Sequence, residues 1–200
     1  ENDKHTICLS SQVGCSVDCD FCATGKMGFK SSLSAGEILD QLIYIKKNIK
    51  QPITNIVFMG MGEPFLNYKN VIKSADIMND SLGLNFGSNR ITISTAGILP
   101  KINQFINDRK KYNLAISLNA SNDKVRDKIM PINASMNLDS LEEAVRYYYR
   151  KTERPITYEY LLFDGFNDTQ EDARNLSKIV GWAPSKVNII MYNNNYIINI

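Results

Sequence analysis

Histidine is almost absent from this chain. His5 is the only one in 200 residues and precedes the first apolar run, so a Ser–His–Asp or Cys–His hydrolase has little to build on. Hydrophobic runs are short as well. None approaches the ~20 residues a membrane helix needs, which points to a soluble protein with no membrane partner. Neither charge sign dominates: 23 Lys and Arg face 21 Asp and Glu, leaving a net charge of +2 and a pI near 8.3. That balance permits nucleic-acid binding without arguing for it. No secretory signal is visible, so a disulfide framework is the weakest use for the four cysteines and a cytoplasmic setting is expected. No internal repeat, low-complexity linker or second domain stands out, and the length suits one domain with a proper core. Glycine is sparse, at 11 residues beside 24 Ile and 22 Asn. This lean toward AT-rich codons blurs sequence motifs without changing their chemistry.

Three of the four cysteines lie within the eight residues Cys15-Ser16-Val17-Asp18-Cys19-Asp20-Phe21-Cys22, spaced C-x3-C-x2-C. Thiolates this close form a ligand set, because soft sulfur suits iron–sulfur clusters, zinc or copper(I). Three thiolates leave one iron of a cubane open to a small molecule. A structural zinc site with Cys8 as the fourth ligand is the alternative, since zinc also favours short Cys spacings.

The rest of the chain alternates. Ile7-Cys8-Leu9 reads as a strand feeding the cysteine loop. Ser34 with Glu37 forms a capping box, and Ile38, Leu42, Ile45 and Ile49 share a face, so a helix is expected over 34–49. Strands follow at 53–59, 91–95, 114–118, 157–163 and 187–191, with helices near 68–80, 98–108, 122–128 and 138–151. Asp168 with Glu171 caps a last helix that stops at Gly181. Strand-then-helix alternation with near-continuous apolar strands implies a parallel sheet covered by helices. Right-handed crossovers, uninterrupted by a hairpin, would curl six such strands into an α/β fold, a partial parallel (βα)6 barrel spanning residues 1–192. Residues 193–200 carry no helix pattern and read as an atypical tail.

In such a barrel, function gathers in the loops after the C-terminal ends of the strands. Every candidate sits there: the cysteine motif, Gly62-Glu63-Pro64, Ser94, Ser117-Leu118-Asn119, and Tyr192-Asn193. Taken singly, each has an ordinary reading, the Gly-Glu-Pro as a common turn and the serines and asparagines as turn residues. Their convergence is the stronger signal. Lys46, Lys47, Lys50 and Arg109-Lys110-Lys111 read as solvated, helix-end or loop cations. Lys26 and Lys30 flank Phe29 just after the cysteine loop and are candidate phosphate-backbone contacts.

These motifs resemble a known family. C-x3-C-x-aromatic-C after the first strand of a partial barrel is similar to the radical S-adenosylmethionine superfamily. The strings Cys8-Leu9-Ser10-Ser11-Gln12-Val13-Gly14-Cys15, Met59-Gly60-Met61-Gly62-Glu63-Pro64-Phe65-Leu66-Asn67, Ile93-Ser94-Thr95-Ala96-Gly97 and Ala115-Ile116-Ser117-Leu118 resemble the dual-specificity adenine-C2 methyltransferases of large-subunit ribosomal RNA and transfer RNA. The resemblance implies that Cys15, Cys19 and Cys22 hold a 4Fe–4S cluster whose open iron takes S-adenosylmethionine. Gly62 and Glu63 would receive the cofactor's ammonium, and Ser94, Ser117, Leu118, Asn119 and Asn193 would make further cofactor contacts. It implies a 5′-deoxyadenosyl radical, a methyl group carried on a cysteine near the C-terminus, and Cys8 as the second cysteine that resolves a protein–RNA adduct. It also implies an electron donor such as a flavodoxin.

Four departures stand beside the resemblance. Asn119 replaces a common His. Met191 and Asn194 flank Tyr192-Asn193 where prolines are usual. No cysteine follows Cys22, and the family's N-terminal accessory domain is not among these residues. A fragment that cleaves the cofactor without completing methylation is therefore expected. The competing readings are a relative that methylates carbon 8 of the same adenine, and a zinc-stabilised RNA-binding module.

Overall fold

The structure is a computed structural model, and it describes residues 4–192. Six parallel strands, β1 (Thr6–Cys8), β2 (Asn55–Phe58), β3 (Ile91–Thr95), β4 (Asn113–Ser117), β5 (Ile156–Leu162) and β6 (Ser185–Met191), lie side by side in chain order. The helices α1 (Ala35–Asn48), α2 (Tyr68–Asn79), α3 (Leu99–Asn107), α4 (Asp123–Ile129), α5 (Leu138–Thr152) and α6 (Gln170–Val180) fill the crossovers. Parallel neighbours in sequence order, each joined through a helix, curl the sheet into the expected partial barrel.

Alternation along the strands separates two faces. Ile7, Leu9, Ile56, Phe58, Ile91, Ile93, Leu114, Ile116, Tyr158 and Tyr160 face the helices. They pack in one core with Ile38, Leu42, Val71, Met78, Ile102, Phe105, Leu141 and Tyr148. Full burial of each such side chain is worth ~1.5–3 kcal/mol, and this layer holds the barrel together. The intervening residues face the concave side of the sheet. The register aligns Cys8 with Val57, Val57 with Thr92, Ser94 with Ala115, and Ser117 with Glu159 and then Asn188.

Several boundaries were legible. Ser34 caps α1 through a complete capping box with Glu37, whose carboxylate accepts from the Ser34 amide at 2.8 Å. At α6 the box falls one residue later than expected: Thr169 and Asp172 form it, not Asp168 and Glu171. Both pairs satisfy the same spacing. Asp172 wins because its other oxygen also accepts from the buried Ser121 hydroxyl at 2.6 Å.

The connections are not free of antiparallel pairing, as the sequence suggested. Gln12–Val13 pair with Ser31–Ser32 and bracket the cysteine loop, which also holds a one-turn helix, Ala23–Lys26. Gly14 enters that loop at φ +74°, and a Cβ there would lie 1.7 Å from the carbonyl oxygen of Gly28. The obstacle is backbone and cannot swing aside. Gly14→Ala is therefore expected to cost at least ~1–2 kcal/mol from the left-handed conformation alone, and to displace the loop. Urea unfolding should show the loss; unchanged stability would mean that the loop sits elsewhere.

On β6, Ile189 and Met191 are 58% and 68% exposed. Among the described residues no helix covers them, so β6 presents an exposed apolar edge. Asn193 and the rest of the tail lie outside the described residues.

Candidate active site

A cavity of about 280 Å³ lies at the C-terminal ends of the strands, lined by the loops that follow β1–β4 and by residues of β5 and β6. Cys15, Cys19 and Cys22 line it, together with Gly62, Glu63, Ser94, Ser117 and Asn119. The three expected thiols and five expected cofactor positions, drawn from four loops, thus share one wall-to-wall space. Gly62 takes φ +95°, and a Cβ would meet Gln12 at 2.5 Å, so only glycine lets the β2 loop pass so close to the cysteine loop. Gln12 locks that approach by accepting from the Glu63 amide at 2.9 Å.

Glu63 is 4% exposed. Its two carboxylate oxygens accept from the amides of Phe65 at 2.9 Å and Ala96 at 2.7 Å, which ties the β2 loop to the end of β3. Burial pushes its carboxyl above the usual range, while those two amides and the Thr95 hydroxyl pull it back. The residue is thus more than an exposed turn carboxylate. Two acceptor lone pairs per oxygen leave it able to take an ammonium as well.

Burial pushes the Cys19 thiol up to about 12, with Cys22, Cys15 and Glu63 adding to the rise and Arg126 opposing it. Cys15 is raised too, first by burial, although the Val17 amide donates to its sulfur at 3.5 Å. Thiols this reluctant to ionise alone ionise when a metal supplies the compensating charge. Cys8 sits apart. It lies between helix-facing Ile7 and Leu9, faces the concave side, and does not line the cavity. Burial raises its thiol, partly offset by the Met59 backbone. Among the described residues, no three His, Cys, Asp or Glu side chains converge where a single ion could sit. A tetrahedral zinc needs its ligands at ~2.0–2.3 Å from one point. A cubane instead takes one thiolate per iron, from thiols spread around a wider space. Cys15, Cys19 and Cys22 line one cavity, and Cys8 does not.

Leu118 faces the helical core, and only its backbone reaches the rim, its amide donating to the Glu159 carbonyl at 2.9 Å. Asn119 adopts φ +57°, a conformation Asn tolerates, and its side chain accepts from the Leu161 amide at 3.0 Å. Lys26 and Lys30 are exposed beside half-exposed Phe29 and do not line the cavity.

Two residues escaped the sequence reading. Glu159 lines the cavity from β5; its position between Thr157 and Leu161 on the concave face is a signal that strand alternation carries. Arg126 is fully buried behind the cysteine loop and donates to the carbonyls of Ala96 (2.7 Å), Leu118 (3.1 Å), Ser117 (3.3 Å) and Met136 (3.4 Å) and to the Asn133 side chain (2.7 Å). No sequence pattern announces it. Nearby, Asp20 of the loop donates its amide to Ile129 of α4 at 3.0 Å, and Phe21 packs 5.7 Å from Phe163 beyond β5.

Residues 9–176 match the Radical SAM superfamily. A relative from Salinibacter ruber, named "Probable dual-specificity RNA methyltransferase RlmN", is 48% identical over 96% of this chain and 54% of its own. One of the same name from Dictyoglomus turgidum is 46% identical over 96% of this chain and 56% of its own. The chain thus spans about half the length of the curated relatives it matches. The crystal structure of a radical SAM methyltransferase from Sphaerobacter thermophilus superposes with a TM-score of 0.89 at 40% identity, over 94% of this chain and 56% of that one. Streptococcus suis SuiB bound to S-adenosylmethionine shares the fold, with a TM-score of 0.70 at 14% identity over 96% of this chain and 41% of that one. Superfamily members use a 4Fe–4S cluster and S-adenosylmethionine. With its cysteine loop above a six-stranded parallel half-barrel and a match along residues 9–176, this chain belongs to the Radical SAM superfamily.

Proposed function

We propose that this chain is the catalytic core of an enzyme that methylates carbon 2 of an adenine in large-subunit ribosomal RNA and transfer RNA. The observation that carries this reading is the single cavity where Cys15, Cys19 and Cys22 meet Gly62, Glu63, Ser94, Ser117 and Asn119. The relatives' name supplies the substrate class.

Cys15, Cys19 and Cys22 would hold the 4Fe–4S cluster, and Glu63 with the Gly62 backbone would receive the ammonium of S-adenosylmethionine. When bound, the cluster would supply the electron for reductive cleavage of S-adenosylmethionine. The chain's own residues bind, orient and dry the site. Met130, Leu161 and Ile190 give the cavity apolar walls that exclude water. Cys8, kept as a neutral thiol on the concave face, resolves the protein–RNA adduct, and Lys26 and Lys30 with Phe29 meet the RNA backbone. An electron donor such as a flavodoxin completes the reaction. Zinc stabilisation is the weaker reading, because Cys8 does not line the cavity that the other three thiols share.

Glu63→Gln is expected to weaken S-adenosylmethionine binding by about 1.5–3 kcal/mol, the scale for hydrogen bonds to charged groups. The amide would also turn an NH2 toward a backbone N–H of Phe65 or Ala96, so the unfolding midpoint should fall. The cluster should survive. Calorimetric titration showing unchanged affinity would leave Glu63 as a purely structural tie between the β2 and β3 loops.

Anaerobic incubation with labelled S-adenosylmethionine, a low-potential reductant and RNA tests the function. Release of 5′-deoxyadenosine is expected, and its absence refutes the reading. Labelled 2-methyladenosine is expected from a polypeptide that also supplies the methyl-carrying cysteine, which these 200 residues lack. Finding 8-methyladenosine instead would move the target to carbon 8.

A further inference from the structure

The C-terminal ends of α3 and α5 lie side by side where β4 and β5 begin, at the end of the sheet opposite the cysteine loop. Between them runs a groove of about 640 Å³, lined by Arg109, Lys110, Lys111, Lys151 and Arg154 and by no acidic side chain. Tyr147 of α5 ties the two helices together there: its hydroxyl donates to the Asn107 side chain at 3.0 Å, and Lys151 lies over its ring at 5.7 Å. The ion pairs among the described residues are Lys110 with Asp76 and Arg146 with Glu142. Arg109, Lys111, Lys151 and Arg154 therefore have no carboxylate partner. Arg154 is held by neutral acceptors, the Lys111 carbonyl and, at 3.0 Å, the Asn113 side chain, which fix its place without cancelling its charge. Arg109 stands at φ +50°, a helix-end conformation that glycine fills with less strain.

Cations at helix C-termini ordinarily answer the helix dipole, and that accounts for part of the group. Two C-termini carry about −0.5 each, so four unpaired cations leave a surplus of about three charges. Asp108 and Glu153 flank the groove in sequence without lining it, and Asp108 accepts from the Tyr68 hydroxyl at 2.7 Å in the neighbouring groove. The whole chain carries only +2, so the surplus is a local concentration that suits a polyanion. β5 alone is seven residues long, roughly 20 Å at ~3.3 Å per residue. A nucleotide in the cavity therefore cannot itself reach the groove, but RNA that continues along the outside of the barrel can. An acidic electron donor would match the charge as well, yet seated here it would face the end away from the cysteine loop.

We propose that this groove binds the phosphate backbone of the substrate RNA at a distance from the methylated nucleotide, a second anchoring point at the far end of the barrel. The proposal rests on the reading of RNA as the substrate.

Equilibrium binding of an unmodified transfer RNA to the anaerobically reconstituted protein, measured across a range of salt concentrations, provides the test. Each phosphate contact contributes about 0.7–0.9 to the slope of log affinity against log salt. Arg109→Gln, Lys111→Gln and Lys151→Gln should each lower the slope by about that amount. The triple variant should lower it by about two, which is roughly a hundredfold loss at ~0.1 M salt relative to ~1 M. Iron content should be unchanged. A charge-matched control replaces the exposed lysines at the end of α1, Lys46→Gln, Lys47→Gln and Lys50→Gln together, and should stay near the wild-type slope. If the control lowers the slope as much as the groove variant does, the effect is net charge alone and the proposal is overturned. It is overturned as well if the groove variant keeps the wild-type slope. In that case, loss of affinity for poly-L-glutamate would reassign the groove to an acidic protein. Failure of wild type to bind RNA at all would instead overturn the RNA reading on which the proposal stands.

Discussion

Replacing Arg126 by methionine is expected to destabilise the protein by about 3–5 kcal/mol, the range for removing one partner from a buried charged network. The guanidinium is 0% exposed and is met by carbonyls and an amide, with no carboxylate bonded to it directly. Its charge is balanced at one remove: Asn133 accepts from Arg126 and donates to Asp123 at 2.9 Å and Asp127 at 2.7 Å. Burial holds the Arg126 pKa down to about 10, a mark of the desolvation that its neighbours must offset. Methionine removes that desolvation and packs well. It also strands the carbonyls of Ala96 and Leu118 and the Asn133 oxygen, at ~1–3 kcal/mol for each buried group left unpaired. The stranding outweighs the relief. Because these carbonyls belong to the rims of β3 and β4, the cavity wall should loosen with the fold. Arg126→Lys should recover little, since one ammonium cannot span acceptors arranged for a planar fork. Urea unfolding of the variants measures this directly; a loss below ~1 kcal/mol would mean that the rim carbonyls find other donors.

Much of the architecture could be read from the chain because it rests on local signals. The Ser34–Glu37 box, the β-branched run before Met59 and the five strand–helix alternations each act within a few residues, and the parallel order follows from them. The cysteine loop and the Gly-Glu-Pro turn were legible as chemistry because their residue types are rare in such spacing. The missed features depend on distant groups. Gln12–Val13 and Ser31–Ser32 form strands too short to show a period of two. Arg126 looks like any helical arginine until loops 30 residues away in sequence deliver their carbonyls. The double duty of Glu63 follows from the position of the Ala96 amide, which no turn motif encodes. Cys8 was visible as the odd thiol out, yet only the structure shows that it does not line the cavity the other three share.

The central claim is that Cys15, Cys19 and Cys22, without Cys8, hold a cluster that reductively cleaves S-adenosylmethionine. Single Cys→Ala variants at all four positions, reconstituted anaerobically with iron and sulfide and assayed for iron and for 5′-deoxyadenosine, test it most directly. Wild type should be brown with about four irons per chain, as a cubane requires, and should release 5′-deoxyadenosine with a reductant. Loss of any one of Cys15, Cys19 or Cys22 should abolish both colour and cleavage, whereas Cys8→Ala should keep both. If Cys8→Ala also strips the metal, or if the purified protein holds zinc in place of iron and sulfide, the three-thiolate account is contradicted.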